Sequence, residues 1–379
     1  MKKILFTLFK IYSGHLFGQT YTITPQQIVV LPAIVNESSG IEVNPADTSK
    51  IWTHNDSGDS AYVYQVTTQG QLLRKIIIGT GKAVDIEDIT RDDAGNYYIA
   101  DVGNNNNNRT NLIIHKVANL DTVTTKAVNN DKIFFSYPDQ TLFPPPAAMQ
   151  NFDCEALFHY NKHLYLFSKN KGNSTFVRMY SVPDSAGTYV ATLVDSVDIG
   201  TNIGSWITAA DMSPDHSKIA LLSDNSLHVF SNYTGVNFFG GIHTHYNFPN
   251  YSQKEALVFL NNDELYITDE YNPMLNNGGN LYKLNLASVL TANQWLSTTV
   301  VKLYPNPSND LLYIDINHTL TKPLSVSIYN TLGALVISKR YTTTELNYIT
   351  LNVTELTAGA YKLQLTYENI SRVIGFVRK

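Results

Sequence analysis

Hydrophobic and polar positions alternate in short runs along most of the chain. Runs rich in Val, Ile, Thr and Tyr are separated by turn residues, the pattern of half-buried β-strands. No long segment has helical periodicity. Between about residues 20 and 286 the runs recur in a fixed order. Five segments open on a carboxylate and enter a short strand: Glu37–Ile41, Glu87–Thr90, Glu155–Phe158, Asp211–Ser213 and Glu255–Val258. A second strand follows each, at Ile51–Asp56, Tyr97–Asp101, Leu164–Lys169, Ile219–Asp224 and Leu265–Asp269. The carboxylate and the end of the second strand lie 14 residues apart from Glu87 to Asp101, Glu155 to Lys169 and Glu255 to Asp269. The spacing is 13 from Asp211 to Asp224, and 19 from Glu37 to Asp56, where a turn at Asn44–Thr48 lengthens the first unit.

Third strands are expected at Ala61–Val66, Asn111–His115, Thr175–Tyr180 and Asn280–Leu284, and fourth strands at Leu72–Ile78, Lys132–Tyr137 and Tyr189–Ile199. Four short strands recurring about every 54 residues describe a β-propeller blade. The fold class is therefore all-β, with a β-propeller of five blades over residues 19–286; a sixth, degenerate blade between Val236 and Tyr251 would be crowded. The fifth unit lacks an outer strand, which Thr20–Leu31 can supply. That closes the ring and removes the open edges of the array. A linker is expected over 287–300. Six alternating runs between Leu311 and Val377 then predict an Ig-like β-sandwich within 301–379.

Composition agrees with a folded, exported chain. Hydrophobic residues make up 43% and charged residues 16%, which excludes a disordered one. Against 32 Asp and Glu stand 27 Lys and Arg, with no basic stripe, so nucleic acid is not an expected partner. Met1-Lys2-Lys3 followed by a short apolar run from Ile4 to Phe9 predicts a signal peptide over 1–18. That run is too short to span a membrane, and no later segment is long enough. Cys154 is the only cysteine, so no intrachain disulfide can form. No histidine flanks it in a nucleophile motif, and it reads as a buried, inert thiol.

Candidate chemistry lies on one rim. In a four-stranded blade, the loop entering the innermost strand and the loop leaving the second strand open on the same face. Glu37, Glu87, Glu155, Asp211 and Glu255 are thus expected to share a mouth with Asp56, Asp101, Asp224 and Asp269, joined by Asp59, Asp85, Asp88, Asp153 and Glu270. Carboxylates so crowded repel one another without a cation, and an oxygen-only set favours a hard ion such as calcium. Two other readings stay open: carboxylates that merely cap turn amides, and a metal-free catalytic pair. Lys169, Asn104 and Arg109 are candidate ligand-binding residues, with Lys82, Lys171 and Lys254 on nearby loops. The run Asn104–Asn108 reads as a flexible loop, and His54, His243 and His245 as exposed strand histidines rather than zinc ligands. No Gly-x-Ser-x-Gly, Walker or His-Glu-x-x-His motif occurs.

Two resemblances add to this reading. Leu303-Tyr304-Pro305-Asn306-Pro307, the stretch Val326–Val336, the stretch Leu351–Leu363 and the stub Val377-Arg378-Lys379 resemble the type A C-terminal sorting domain of the Bacteroidetes type IX secretion system. This implies export to the cell surface or medium, with the type IX machinery as partner. Trp52–Asp59, Asp85–Asp88, Asp101–Asn104 and Asp153–Ala156 resemble the phytase-like and esterase-like β-propeller superfamily. That likeness implies several bound calcium ions which, with basic residues, hold substrate phosphates; the basic complement here is thin. Two functions remain in view. One is a non-catalytic propeller whose rim binds a glycan or small molecule. The other is a calcium-dependent phosphoester or ester hydrolase.

Overall fold

The computed structural model describes residues 20–56, 58–169, 171–172, 175–200, 206–287, 301–316, 323–331, 333–342, 348–367 and 370–379. The expected signal peptide and residues 288–300 of the expected linker lie outside them. The chain divides into two compact units, Met1–Leu284 and Asn285–Lys379.

Among the described residues the first unit is nearly all β and propeller-like, with five sheets. Their inner strands are Ser38–Asn44, Ile86–Arg91, Asp153–Tyr160, Ile207–Met212 and Lys254–Phe259. Each inner strand adjoins the next in order, and the fifth adjoins the first. Inner strands are packed on both faces, so Ser38–Val43 and Lys254–Phe259 are buried at every position and show no alternation. Outer strands alternate, as in Asp131–Ser136. The faces between sheets are sealed by apolar side chains. Leu31, Ile41, Tyr64, Ala256, Val258 and Leu281 join the fifth sheet to the first, and Phe158, Phe167, Phe230 and Phe238 join the third to the fourth. Each such aromatic ring contributes about 1.5–3 kcal/mol on burial.

The N-terminal segment does more than expected. Gln26–Val30 pairs antiparallel with Asn280–Asn285 as the outer strand of the fifth sheet. Thr20–Thr22 adds a parallel strand to the fourth sheet, beside Ile242–Asn247. The region considered for a sixth blade thus supplies the fourth strand of the fourth sheet. Likewise, the expected strand Tyr189–Ile199 is two: Thr192–Asp198 stays in the third sheet, while Gly187–Val190 crosses to the second.

In the second unit, Val301–Tyr304, Leu311–Ile316 and Tyr348–Asn352 form one sheet, and Leu335–Tyr341, Leu324–Asn330, Gly359–Tyr367 and Ile370–Arg378 another. Strict alternation sends Leu324, Val326, Ile328, Leu363 and Leu365 from the second sheet into one core with Leu312, Ile314 and Leu351 from the first.

Candidate metal centre

A shared irregularity builds the site. Each inner strand of the five sheets carries one extra residue relative to the strand beside it. These residues are Ser39, Glu87, Glu155, Thr208 and Glu255. A bulge of this kind bends the strand and re-aims a side chain. Paired just before each bulge are Asn55, Asp101, Ser168, Ser223 and Asp269, and the next residues are Asp56, Val102, Lys169, Asp224 and Glu270. This register corrects the alignment drawn from spacing. Glu87, Glu155 and Glu255 are equivalent, whereas Ser39 and Thr208 stand where Glu37 and Asp211 were expected. Lys169 aligns with Asp56, Asp224 and Glu270, not with Asp101.

Asp56, Asp85 and Glu87 each bring a carboxylate oxygen within 4.8 Å of the others, and Glu87, Asp153 and Glu155 form a second such trio. Glu87, Asp85, Asp153 and Glu155 are buried. Gly103 makes room for them. A Cβ there would lie 2.0 Å from Glu87 Oε1 and 2.4 Å from Asp85 Oδ2. Asp85 Oδ2 accepts a hydrogen bond from Asn105 Nδ2 at 3.2 Å, and Asp153 Oδ1 accepts one from the Asn104 N–H at 2.5 Å. Asp85 Oδ1 and Asp56 Oδ1 are buried with no hydrogen-bond partner. Asp153 Oδ2 lies 2.5 Å from Lys171 Nζ, an ion pair that neutralises it although the orientation makes no hydrogen bond.

Electrostatics follow from the burial. Desolvation, then the neighbouring Asp56, raises Asp85 to about 6. Desolvation, then Glu155, pushes Glu87 well above the usual carboxylate range. Desolvation also raises Glu255 to about 7 and, with Glu255 and Asp56 adding to it, Glu270 to about 9. Without a cation such a cluster holds protons; a divalent ion displaces them. Burial opposes the charge of Lys169, but Glu155, Glu255, Glu87 and Asp153 outweigh it and raise its pKa. Its Nζ lies 2.9 Å from Glu155 Oε2.

The other expected residues divide. Asp101 positions the site, accepting the N–H groups of Val84 and Asp85 at 3.1 and 3.0 Å and pairing with Arg109 at 2.9 Å. Arg109 also donates to the Gly103 carbonyl at 2.6 Å. Asp269 accepts from the Asn280 N–H and from Tyr282 Oη at 2.8 and 2.7 Å, and Asp59 from Tyr64 Oη at 2.8 Å. Glu37 is exposed. Asp211, three residues beyond the bulge, lies instead at the far end of the inner strands. There, with Glu42, Thr90, Arg91 and His159, it lines a cavity of about 150 Å³. Asp88 is buried and holds the neighbouring inner strand through the Leu157 N–H.

Two other sequence readings change, and His54 is buried rather than exposed. Asn104–Asn108 is a built loop: Asn104 and Asn107 are buried, Asn107 has φ 51°, and its side chain accepts the Phe152 N–H at 2.8 Å. His243 and His245 are part-buried and stack on buried His228. Glu42, missed entirely, is a lone charge between Ile41 and Val43, a visible signal in an otherwise buried strand. Cys154 is buried, and burial raises its thiol pKa.

No curated protein matches the chain. Among solved structures, the extracellular domain assigned to a hybrid two-component system of B. thetaiotaomicron is similar at 9% identity and TM-score 0.35, covering 95% of this chain; the chain spans 60% of that one. The aldose sugar dehydrogenase of Streptomyces coelicolor in its PQQ-bound form is similar at 11% identity and TM-score 0.41, over 68% of this chain and 97% of that one. The tail fibre of Staphylococcus aureus phage P68 is similar at 10% identity and TM-score 0.38, over 84% and 77%. Likenesses at these scores carry no functional information. No described helix is long and apolar enough to cross a membrane. Residues 302–377 match the family described as secretion system C-terminal sorting domain, which implies interaction with the type IX secretion machinery, and the protein is therefore one that is secreted or held at the cell surface.

Proposed function

We propose that the exported protein is a closed five-bladed propeller followed by an Ig-like sandwich, and that the propeller's acidic mouth binds a divalent cation, calcium by its all-oxygen donors, and serves as a binding surface for a glycan or other small molecule. The observation that carries the reading is Asp85 Oδ1, a buried carboxylate oxygen without a hydrogen-bond partner inside the Asp56, Asp85 and Glu87 trio. Buried polar atoms are almost always satisfied, and a bound ion satisfies this one. Tyr251, whose Oη donates to Asp224 at 3.1 Å, and Tyr271, next to Glu270, are both exposed and offer rings to a sugar face.

The phytase-like hydrolase is the second reading. Three basic groups at or beside the mouth favour it, but Lys169, Lys171 and Arg109 are each already paired with a carboxylate, which leaves little positive charge for a phosphate. Calcium titration of the full chain by calorimetry tests the first reading, and absence of heat overturns it. Calcium-dependent turnover of p-nitrophenyl phosphate or p-nitrophenyl acetate, lost in Glu87→Gln, would place the hydrolase ahead.

A further inference from the structure

The two carboxylate trios meet at Glu87 but differ in what faces them. Lys169 Nζ is 2.9 Å from Glu155 Oε2, and Lys171 Nζ is 2.5 Å from Asp153 Oδ2. Lys171 also donates to Asn105 Oδ1, the residue whose Nδ2 holds Asp85. Among the described residues no ion pair involves Asp56, Asp85 or Glu87. Lys169 is also the one basic residue in its column: the equivalent positions hold Asp56, Val102, Asp224 and Glu270.

Two ammonium groups carry the charge of one divalent ion. Tethered to the end of a strand and to its following loop, they need no translational entropy to arrive, unlike an ion from solution. A carboxylate pair so neutralised has little left to offer a second cation. Asp85 is more than nine-tenths buried, and its Oδ1 is open.

We infer that the mouth takes a single exchangeable divalent cation, on Asp56, Asp85 and Glu87, and that Lys169 and Lys171 stand in the place of a second ion on Asp153 and Glu155. The inference rests on the cation reading above and names how many ions the site admits and what limits it. The lysines keep the half-site filled in the absence of metal, so occupancy follows one binding step.

Calcium stoichiometry of the full chain, by equilibrium dialysis and calorimetry after chelator treatment, tests it. The unaltered protein is expected to bind one ion at the mouth, and Asp85→Asn to bind it at least tenfold more weakly. Lys169→Met/Lys171→Met is expected to bind two, whereas Lys169→Arg/Lys171→Arg, which keeps the charges, stays at one. Two ions in the unaltered protein, or one in the methionine variant, overturn the inference while leaving the cation reading intact. No ion in either protein overturns both. If the double variant does not fold, Lys171→Met alone, which removes the more exposed of the two ammonium groups, should show a second, weaker ion; unchanged stoichiometry there is again an overturning result.

Discussion

Asp88 Oδ2 accepts the backbone N–H of Leu157 at 2.9 Å, tying the inner strand of the second sheet to that of the third. Asp211 Oδ2 does the same for the Phe259 N–H at 2.7 Å, between the fourth and fifth sheets. The innermost strand of a sheet has one edge without a strand partner, and these carboxylates satisfy N–H groups that water reaches poorly. Asp88→Ala leaves the buried Leu157 N–H unmet and is expected to cost about 1–3 kcal/mol, read as a lower urea midpoint at unchanged slope. Exposed Asp93→Ala is the control. Equal midpoints for the two would mean that the clasp contributes nothing.

Calcium is expected to stabilise the first unit. At a hundredfold excess over the dissociation constant, mass action contributes about 2.7 kcal/mol, roughly 5–10 °C for a unit of this size. Glu87→Gln, shared by both trios, should abolish most of that shift. Asp47→Asn, at the start of a strand just after an exposed turn and paired with Lys50, should leave it whole. Thermal melts of the full chain with calcium and with chelator check this, and coincident melts of the unaltered protein would remove the cation.

Gly103→Ala isolates geometry from charge. The added methyl falls on the Glu87 and Asp85 carboxylates, so it must spread them. Calcium affinity is expected to drop at least tenfold, while the melting temperature in chelator changes less, because the methyl meets the ends of side chains that can shift. Unaltered affinity would contradict the cradle.

Much of this was legible in the sequence, and the remainder fails for identifiable reasons. Leu311–Ile316 and Leu324–Asn330 coincide with their expected bounds because one buried face imposes clean alternation on them. Glu87, Glu155 and Glu255 were aligned correctly because all three sit at bulges. Glu37 and Asp211 were misaligned because a bulge inserts a residue with no mark in composition, so Ser39 and Thr208 hold the equivalent places unannounced. Lys171 meets Asp153 because Lys169, two residues earlier, is the ladder partner of Asp153; that register is set by the bulge at Glu155, which again leaves no mark in composition.

Export rests on the tail. Deleting residues 301–379 removes the sorting domain matched over 302–377 and should leave the truncated protein in the periplasm. Fractionation and immunoblotting read the outcome, and normal appearance of the shortened chain in the medium would refute dependence on the tail.

The buried carboxylates also fix how stability depends on pH. In the cation-free protein Glu270 is raised to about 9, Glu255 and Asp211 to about 7, and Asp85 to about 6, burial being the leading cause in each. A carboxyl whose folded pKa exceeds its unfolded value contributes stability that is complete below the unfolded pKa and is lost as pH rises through the folded one. Histidines oppose this at lower pH. Burial depresses His54 and His243 to about 4, so the stability they contribute is lost as pH falls below about 6.5, where unfolded histidine gains its proton. The clear window is therefore pH 6.5 to 9. In chelator the melting temperature should rise as pH is lowered across it. Saturating calcium should flatten that slope without abolishing it, because the ion takes the place of protons on Asp85 and Glu87 but not on Asp211 at the other end of the inner strands. Asp211→Asn in calcium should then flatten it further. A chelated protein whose melting temperature falls from pH 9 to 6.5 would show that the mouth does not retain protons, and would remove the electrostatic ground for a cation there.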